Sequence, residues 1–216
     1  MSDIFREVDE EVRRERLKQL WDRYNGLIIA VAILIIAGIG GWRTYQWWDA
    51  KKAAEAGAVF ESAVALASEN KHDEAEAAFS AIANKGGAYG VLARLRAAGE
   101  LARKDRDGAV KQYDAIASDS STPRTLRDLA NARAGLLLVD TASYEAMRTR
   151  LEPLTRENGA FRHTAREVLA LTAWRTGDKA AARQWVDAIM NDAATPAGTR
   201  ARAEMLLALG ATSAKT

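Results

Sequence analysis

Two patterns of hydrophobic and polar residues divide this chain. Residues 26–42 form a continuous apolar run, Gly-Leu-Ile-Ile-Ala-Val-Ala-Ile-Leu-Ile-Ile-Ala-Gly-Ile-Gly-Gly-Trp, that contains no charged residue. As a helix this run is about 25 Å long, the lower end of what a bilayer core requires. Beyond residue 45 apolar residues recur at helical spacing among charges, and Ala is abundant. The pattern therefore predicts an all-α protein in which a single transmembrane helix precedes a helical body.

The residues that flank the apolar run predict its orientation. Aromatic side chains stand on both sides, where a span meets the two headgroup regions: Trp21, Tyr24, Trp42, Tyr45, Trp47 and Trp48. Six Lys or Arg residues precede the run, whereas only Arg43, Lys51 and Lys52 follow it closely. Because positive residues concentrate on the cytoplasmic side, we expect residues 1–25 in the cytoplasm and residues 43–216 in the periplasm of a bacterium.

A cleaved signal peptide is the alternative interpretation of the same run. Residues 27–39 have the length of a signal core, and Gly38-Ile39-Gly40 is a small-x-small triplet. Cleavage there would leave a Trp-rich, membrane-seeking N-terminus, and the charged head would be unusually long for a signal. A signal anchor in the bacterial inner membrane is therefore the favoured interpretation.

Two faces of the N-terminal segment are candidates for contacts. Small residues lie within about 60° of one another around the predicted span, which would let a second span approach closely: Gly26, Ala30, Ala37 and Gly41. Gly and Ala are also simply common in spans.

In the head, apolar residues form one helix face among charges, suited to a membrane surface or a cytosolic partner: Ile4, Phe5, Val8 and Val12. A solvated helix that only supplies topology charges is the simpler alternative.

The body contains a fourfold repeat. In each unit a small residue is followed after twelve positions by Ala or Met, and then by two large apolar residues four and seven positions further on. The four sets are Ala63, Ala75, Phe79, Ile82; Ala97, Ala109, Tyr113, Ile116; Gly135, Met147, Leu151, Leu154; and Ala170, Ala182, Val186, Ile189. The spacing places three apolar groups on one stripe of a second helix, against a first helix that comes close at its small residue.

These sets predict an α-solenoid of about four degenerate tetratricopeptide-like hairpins. Successive sets are offset by 34, 38 and 35 residues, and an insertion in the polar turn at residues 119–123 explains the long interval. Thr176-Gly177-Asp178 is a turn between the two helices of the fourth unit. Residues 197–210, with Ala203, Leu206, Leu207 and Leu209, are expected to cap the last pair. The alternative is an irregular α-bundle.

Composition excludes several kinds of function. The chain has no cysteine, which excludes disulfides, thiolate nucleophiles and Cys metal sites. Beyond residue 42 it carries 25 basic and 22 acidic residues, interleaved as on solvated helix faces, so no nucleic-acid stripe is implied. His72 and His163, the only histidines, lack a partner at metal-binding spacing and are expected at the surface. With no nucleophile elbow or phosphate loop either, we predict no catalytic residue, metal or cofactor.

Large apolar residues on the first helices are candidates for partner binding. Leu101, Leu136, Leu171 and Trp174 recur at intervals of 35, 35 and three residues. If standard hairpin geometry holds, they face the concave surface on which such solenoids bind other chains. A place in the core is the alternative for these four residues, and the sequence slightly favours it.

One segment has a specific resemblance. The stretch Leu17 to Gly26 reads Leu-x-x-Leu-Trp-x-x-Tyr-x-Gly and leads into the span and then Gly41-Trp42-Arg43. It resembles the YfgM-like ancillary SecYEG translocon subunit family, although Tyr24-Asn25-Gly26 stands where that family usually has Tyr-Gly. The similarity in layout extends over the whole chain, as a cytoplasmic head, one span and a periplasmic domain of degenerate tetratricopeptide-like repeats.

The resemblance implies a partner set that the residue pattern does not. It implies an inner-membrane protein that associates with the Sec translocon and with a membrane-anchored periplasmic chaperone of the prolyl-isomerase type, and helps exported chains to fold. The alternatives are a scaffold of the same architecture for cell division or outer-membrane protein assembly, and a soluble periplasmic regulator released by signal cleavage.

Overall fold

The computed structural model describes the backbone of residues 3–86 and 89–212. Side chains are described in these ranges except at residues 3–13, 15–17, 19, 20, 22, 28 and 210–212. The chain divides into two compact units, Met1–Glu55 and Ala56–Thr216. The side chains of Ile4, Phe5, Val8 and Val12, the predicted apolar face of the head, lie outside the described residues.

The regular secondary structure of the described residues is all helical, as predicted. The helices are α1 (Asp3–Ser68), α2 (His72–Lys85), α3 (Gly90–Leu101), α4 (Arg106–Ser118), α5 (Arg124–Leu138), α6 (Tyr144–Leu151), α7 (Arg162–Arg175), α8 (Lys179–Met190) and α9 (Ala197–Thr212), with a 3₁₀ turn at Glu152–Leu154 after α6. The first unit contains the N-terminal part of α1. The end of α1 and all later helices belong to the second unit.

The second unit contains the four predicted helix pairs, followed by α9. They are the end of α1 with α2, α3 with α4, α5 with α6, and α7 with α8. Fifteen of the sixteen repeat positions are buried apolar side chains, and the sixteenth is the buried Gly135. Every second helix thus buries its i, i+4, i+7 stripe, while the charged residues between these positions remain outside.

The apolar core consists of successive clusters that each join neighbouring pairs. One cluster holds Ala63 and Phe79 of the first pair with Ala93 and Ala97 of α3. The next contains residues of α3, α4 and α5, and a larger one contains residues of α5 to α9. A pair therefore covers its apolar surface with the following pair, which is the packing of a solenoid rather than of a bundle around one core.

The turns inside the hairpins have a shared chemistry. The side chains of Asp105, Ser143 and Asp178 accept backbone N–H groups at the starts of α4, α6 and α8, which satisfies donors that lack a helical partner. In the first and fourth pairs the residue seven positions after the small residue has positive φ. It is Asn70 in one and Gly177 in the other. Asn and Gly tolerate this conformation best, so the likeness of the first and fourth pairs extends to the backbone of their turns.

Contact inside the third pair depends on the absence of a side chain. A Cβ atom added at Gly135 would lie 2.9 Å from one methyl group of Leu151 and 3.0 Å from the other. Leu151 is fully buried, so its side chain would have to shift within the core to admit that atom. Glycine therefore sets the distance between α5 and α6.

The C-terminal helix covers the last pair, as predicted. Ala203 and Leu206 of α9 are buried in the third cluster, whereas Leu209 is exposed. In the loop before α9, the Asp192 carboxylate accepts hydrogen bonds from Arg162 and Arg166 of α7, both at 2.8 Å. The Arg162 hydrogen bond is the main cause that lowers the pKa of Asp192 far below its usual value. This charged network fastens the loop to α7.

The insertion between the second and third pairs is a hydrogen-bonded turn. Asp119 accepts the Ser121 hydroxyl at 2.6 Å and the Ser121 backbone N–H at 3.0 Å, and it pairs with Arg94 of α3 at 2.9 Å. The Ser121 hydroxyl and Arg94 lower the pKa of Asp119 to about 2. The turn is thus tied to the preceding pair through a single carboxylate.

Replacing the buried Leu151 by Ala should strongly destabilise the solenoid. Deletion of a fully buried leucine side chain costs about 2–5 kcal/mol. Leu136, 45% exposed on α5, is the matched control, and Leu136→Ala should cost about 1 kcal/mol or less. Urea unfolding of the full chain in mild detergent, followed by circular dichroism, measures both. Equal losses in the two variants would contradict the assigned packing.

Stability should also depend on the ionisation of Asp119. Because its pKa is lower in the folded chain than the ordinary value of 3.8, the charged form stabilises the fold above about pH 4. That contribution is lost as the pH falls through about 2.

The difference in melting temperature between the wild type and Asp119→Asn should be constant near neutral pH. It should shrink as the pH falls from 4 towards 2, because the wild type then loses the same charge. Asp187→Asn is the control, since no hydrogen bond or ion pair of the Asp187 side chain occurs among the described residues. A difference that does not change with pH would exclude the role given to Asp119.

Candidate functional site

The apolar helix of the first unit is the first candidate surface. Among the described residues, Arg23–Ser68 is the one helical segment long and apolar enough to cross a membrane, judged by length and composition. Within residues 26–42 the described apolar side chains are exposed, among them Leu34 and Ile36 at 71% and 70%. So much exposed aliphatic surface on one helix requires an apolar environment, which a bilayer supplies.

The ends of this apolar segment carry cations over aromatic rings. The Lys52 ammonium lies 3.9 Å from the centroid of a Trp48 ring, and that of Lys51 lies 5.7 Å from a Trp47 ring. At the other end the Arg23 guanidinium lies 5.9 Å from the ring of Tyr24. Aromatic rings with adjacent cations are typical of the two membrane interfaces.

The predicted packing face of the span is open in the structure. Its four members are exposed: Gly26, Ala30, Ala37 and Gly41. A Cβ atom added at either glycine would have nothing within 4 Å apart from its chain neighbours and the nearby backbone of its own helix. A close approach of a second span to this face stays a prediction.

A groove in the second unit is the other candidate surface, and sequence analysis did not identify it. We call it the α3–α5 groove. Its volume is about 510 Å³. Most of its lining comes from α3 and α5, with Phe60 of α1 at one side and Tyr113 of α4 beneath. The lining residues are Phe60, Leu92, Leu95, Arg96, Gly99, Glu100, Arg103, Tyr113, Leu129 and Arg133.

The floor of the groove is apolar and partly open. Leu92 is 39% exposed, Leu129 and Phe60 are half-buried, and the Phe60 ring packs 5.3 Å from the rings of both Phe79 and Tyr89. The Phe60 ring is therefore held in place from below. The groove thus offers a preformed apolar surface rather than one that must assemble.

The rim of the groove has an excess of positive charge. Glu100, its only carboxylate, is already paired, at 2.8 Å to His72 and at 3.8 Å to Arg103. Among the described residues the guanidinium groups of Arg96 and Arg133 form neither hydrogen bonds nor ion pairs. Two cations on neighbouring helices are thus left for a ligand.

The charges of Arg96 and Arg133 both act on the Tyr113 hydroxyl. Burial raises the pKa of the Tyr113 hydroxyl above its usual value. The positive charges of Arg133 and Arg96 oppose that shift, and the negative charge of Glu100 adds to it. The hydroxyl itself lies 3.5 Å from the carbonyl oxygen of Leu95, to which it donates. The two guanidinium groups therefore act on the same part of the groove, from α5 and α3.

The four predicted partner-binding residues occupy two helical positions rather than one row. Leu136 and Leu171 each follow the small residue of their helix by one position and are 45% and 41% exposed. Leu101 and Trp174 follow it by four positions and are half-buried. The equal spacing of 35 residues conceals this difference because the interval between the second and third units is 38. Binding of a partner by these residues stays a prediction.

The histidines are more buried than expected. His72 Nδ1 lies 2.8 Å from a Glu100 oxygen, and His163 Nδ1 lies 3.2 Å from the Thr195 hydroxyl and 3.8 Å from Asp192. The expectation of surface histidines was wrong because each partner lies about one repeat away along the chain. Burial lowers the pKa of His163. In the part of the chain that the structure describes, no group of three or more His, Asp or Glu side chains has the arrangement of a metal site.

Comparison with known proteins matches almost the whole chain. Residues 18–208 match the model of a family described as a tetratricopeptide repeat-like domain. The chain is also similar to a protein of Escherichia coli (strain K12) named Ancillary SecYEG translocon subunit, with 26% identity over 197 residues. That similarity covers 90% of this chain and 93% of the relative. No solved structure is significantly similar to this chain.

Proposed function

Because this chain belongs to the tetratricopeptide repeat-like domain family, we propose that it is a membrane-anchored interaction protein and an ancillary subunit of the Sec translocon. Its resemblance to the YfgM-like family is confirmed. The observation that carries the proposal is the similarity to a translocon subunit over 90% of this chain, together with a family match whose range, 18–208, includes the apolar run as well as the repeats. The proposed divisions are a cytoplasmic head (1–25), a span (26–42) and a periplasmic domain (43–216).

The described surface supports binding rather than catalysis. A stack of helical hairpins presents a long face that suits an extended chain. Leu136 and Leu171 expose apolar surface on two neighbouring first helices, and the α3–α5 groove lies on the same series of helices. Both features support a role in holding other polypeptides, and we propose no reaction.

A periplasmic chaperone of the prolyl-isomerase type is proposed as a second partner. The resemblance suggests this partner, and the exposed apolar residues of the second unit provide a surface for it. In this role the protein would keep exported chains and the chaperone close to the channel exit.

The proposed orientation is testable because the chain has no cysteine. Lys18 and Ser118 are exposed, and each can be replaced by Cys without a background of native thiols. A membrane-impermeant maleimide added to cells with a permeabilised outer membrane should label Ser118→Cys. It should label Lys18→Cys only after the inner membrane is lysed. The reverse pattern would contradict the orientation, and an intact mass lacking the first 40 or so residues would indicate a cleaved signal.

Association with the channel is the direct test of function. The tagged full chain, crosslinked lightly and extracted in mild detergent, should co-purify channel subunits and a prolyl-isomerase-type chaperone. A version with residues 26–42 replaced by an unrelated span is the control. It shows whether channel subunits are recovered through the span alone. Recovery of division or outer-membrane assembly proteins in place of channel subunits would refute the translocon assignment.

A further inference from the structure

The α3–α5 groove combines two features that a ligand must match together. Its floor exposes the aliphatic side chain of Leu92, beside the half-buried Leu129 and Phe60. Its rim holds the unpaired guanidinium groups of Arg96 and Arg133. A purely apolar ligand would leave both cations without a partner, and a small anion would leave the floor uncovered.

A second cavity in the same unit lacks this combination. It has a volume of about 580 Å³ and lies between the start of α5 and the loop before α7. Its lining mixes both signs of charge, with Asp128 and Glu157 beside Arg124 and Arg156. Arg124 already pairs with Asp128 at 3.9 Å. The second cavity therefore has no comparable excess of unpaired positive charge.

We infer that the α3–α5 groove binds an extended polypeptide segment in which apolar side chains alternate with Asp or Glu, the apolar groups lying on Leu92 and Leu129 and the carboxylates meeting Arg96 and Arg133. The inference deepens the proposed function, on which it rests for the origin of the segment in an exported or partner chain. Guanidinium groups suit carboxylates because they donate in a planar fork. Alternation suits the site because neighbouring side chains of an extended chain point to opposite sides.

The contacts of Glu100 on α3 strengthen the charge argument. Glu100 stands four residues after Arg96, at a spacing that favours a pair on a helix. In the structure its carboxylate is instead within 2.8 Å of His72 on α2, and its nearest arginine is Arg103. The contact between the first two pairs thus takes up the one acidic group of the groove and leaves Arg96 open to a ligand.

Binding of a designed peptide tests the inference. The probe is a fluorescently labelled peptide in which Leu and Glu alternate at successive positions, acetylated and amidated at its ends so that only side-chain carboxylates are present. Its affinity for the full chain in detergent is measured by anisotropy. One matched peptide carries Gln for Glu, and another carries Ser for Leu.

The protein variants separate the groove from general charge attraction. Arg96→Gln with Arg133→Gln removes the two arginines of the groove that have no ion pair among the described residues. Lys111→Gln with Arg183→Gln removes the same charge from exposed positions of α4 and α8. We expect the first double variant to bind the probe at least about tenfold more weakly and the second to bind like wild type, since charge-assisted hydrogen bonds are short-range. Both matched peptides should bind weakly as well.

A third variant tests the position of the segment without removing an arginine. Leu92→Glu places a carboxylate four residues before Arg96, a spacing that stabilises a helix while occupying the guanidinium. It should abolish probe binding while the melting temperature is maintained. Unchanged binding in Leu92→Glu or in the groove double variant, or equal loss in the two double variants, would overturn the inference.

The outcome is separable from the proposed function. If the peptide-binding tests overturn the inference while channel subunits still co-purify, the translocon role stands. Peptide binding through Arg96 and Arg133 without co-purifying channel subunits would support the groove and refute only the translocon assignment.

Discussion

Close contact between the two helices of each hairpin is the constraint on which the second unit depends. In the third pair, Gly135 lets α5 approach the buried Leu151, and Ala occupies the equivalent position in the other pairs. A hairpin formed in this way leaves apolar surface uncovered on one side, so the next hairpin must stack on it. Stacking places the first helices side by side, and the groove between α3 and α5 follows from that arrangement. The α3–α5 groove thus depends on the close helix–helix contact inside each hairpin, which is made by residues outside the groove.

The core was predictable from the sequence because its information is local. Each set of four repeat residues lies within about 20 residues of chain, and helical periodicity alone assigns them to one face. All four sets are buried as predicted. The functional surface was less predictable because its state depends on residues one repeat away. Arg96 and Glu100 have the spacing of an ion pair on a helix, and only the packing of α2 against α3 shows that the Glu100 carboxylate contacts His72 instead.

The unequal repeat length explains why the predicted binding row was misaligned. Counting 35 residues from Leu101 leads to Leu136, yet the turn around Asp119 makes that interval 38 residues when measured between small residues. Leu136 is therefore equivalent to the buried Ala98, and Leu101 is equivalent to Trp174. A period read from apolar residues alone does not detect such an offset. The turn chemistry, with Ser121 and Pro123 after Asp119, is the signal that locates it.

Charge pairing across the stack gives the unpaired arginines their significance. Ion pairs recur between residues roughly one repeat apart, such as Lys104 with Asp73 and Arg150 with Asp114. Exposed pairs of this kind contribute little stability individually, but they neutralise the surface where hairpins meet. With acidic and basic residues nearly balanced in the body, attraction of a partner cannot depend on net charge. Selectivity must instead arise where pairing is incomplete beside apolar surface, and the α3–α5 groove is such a place.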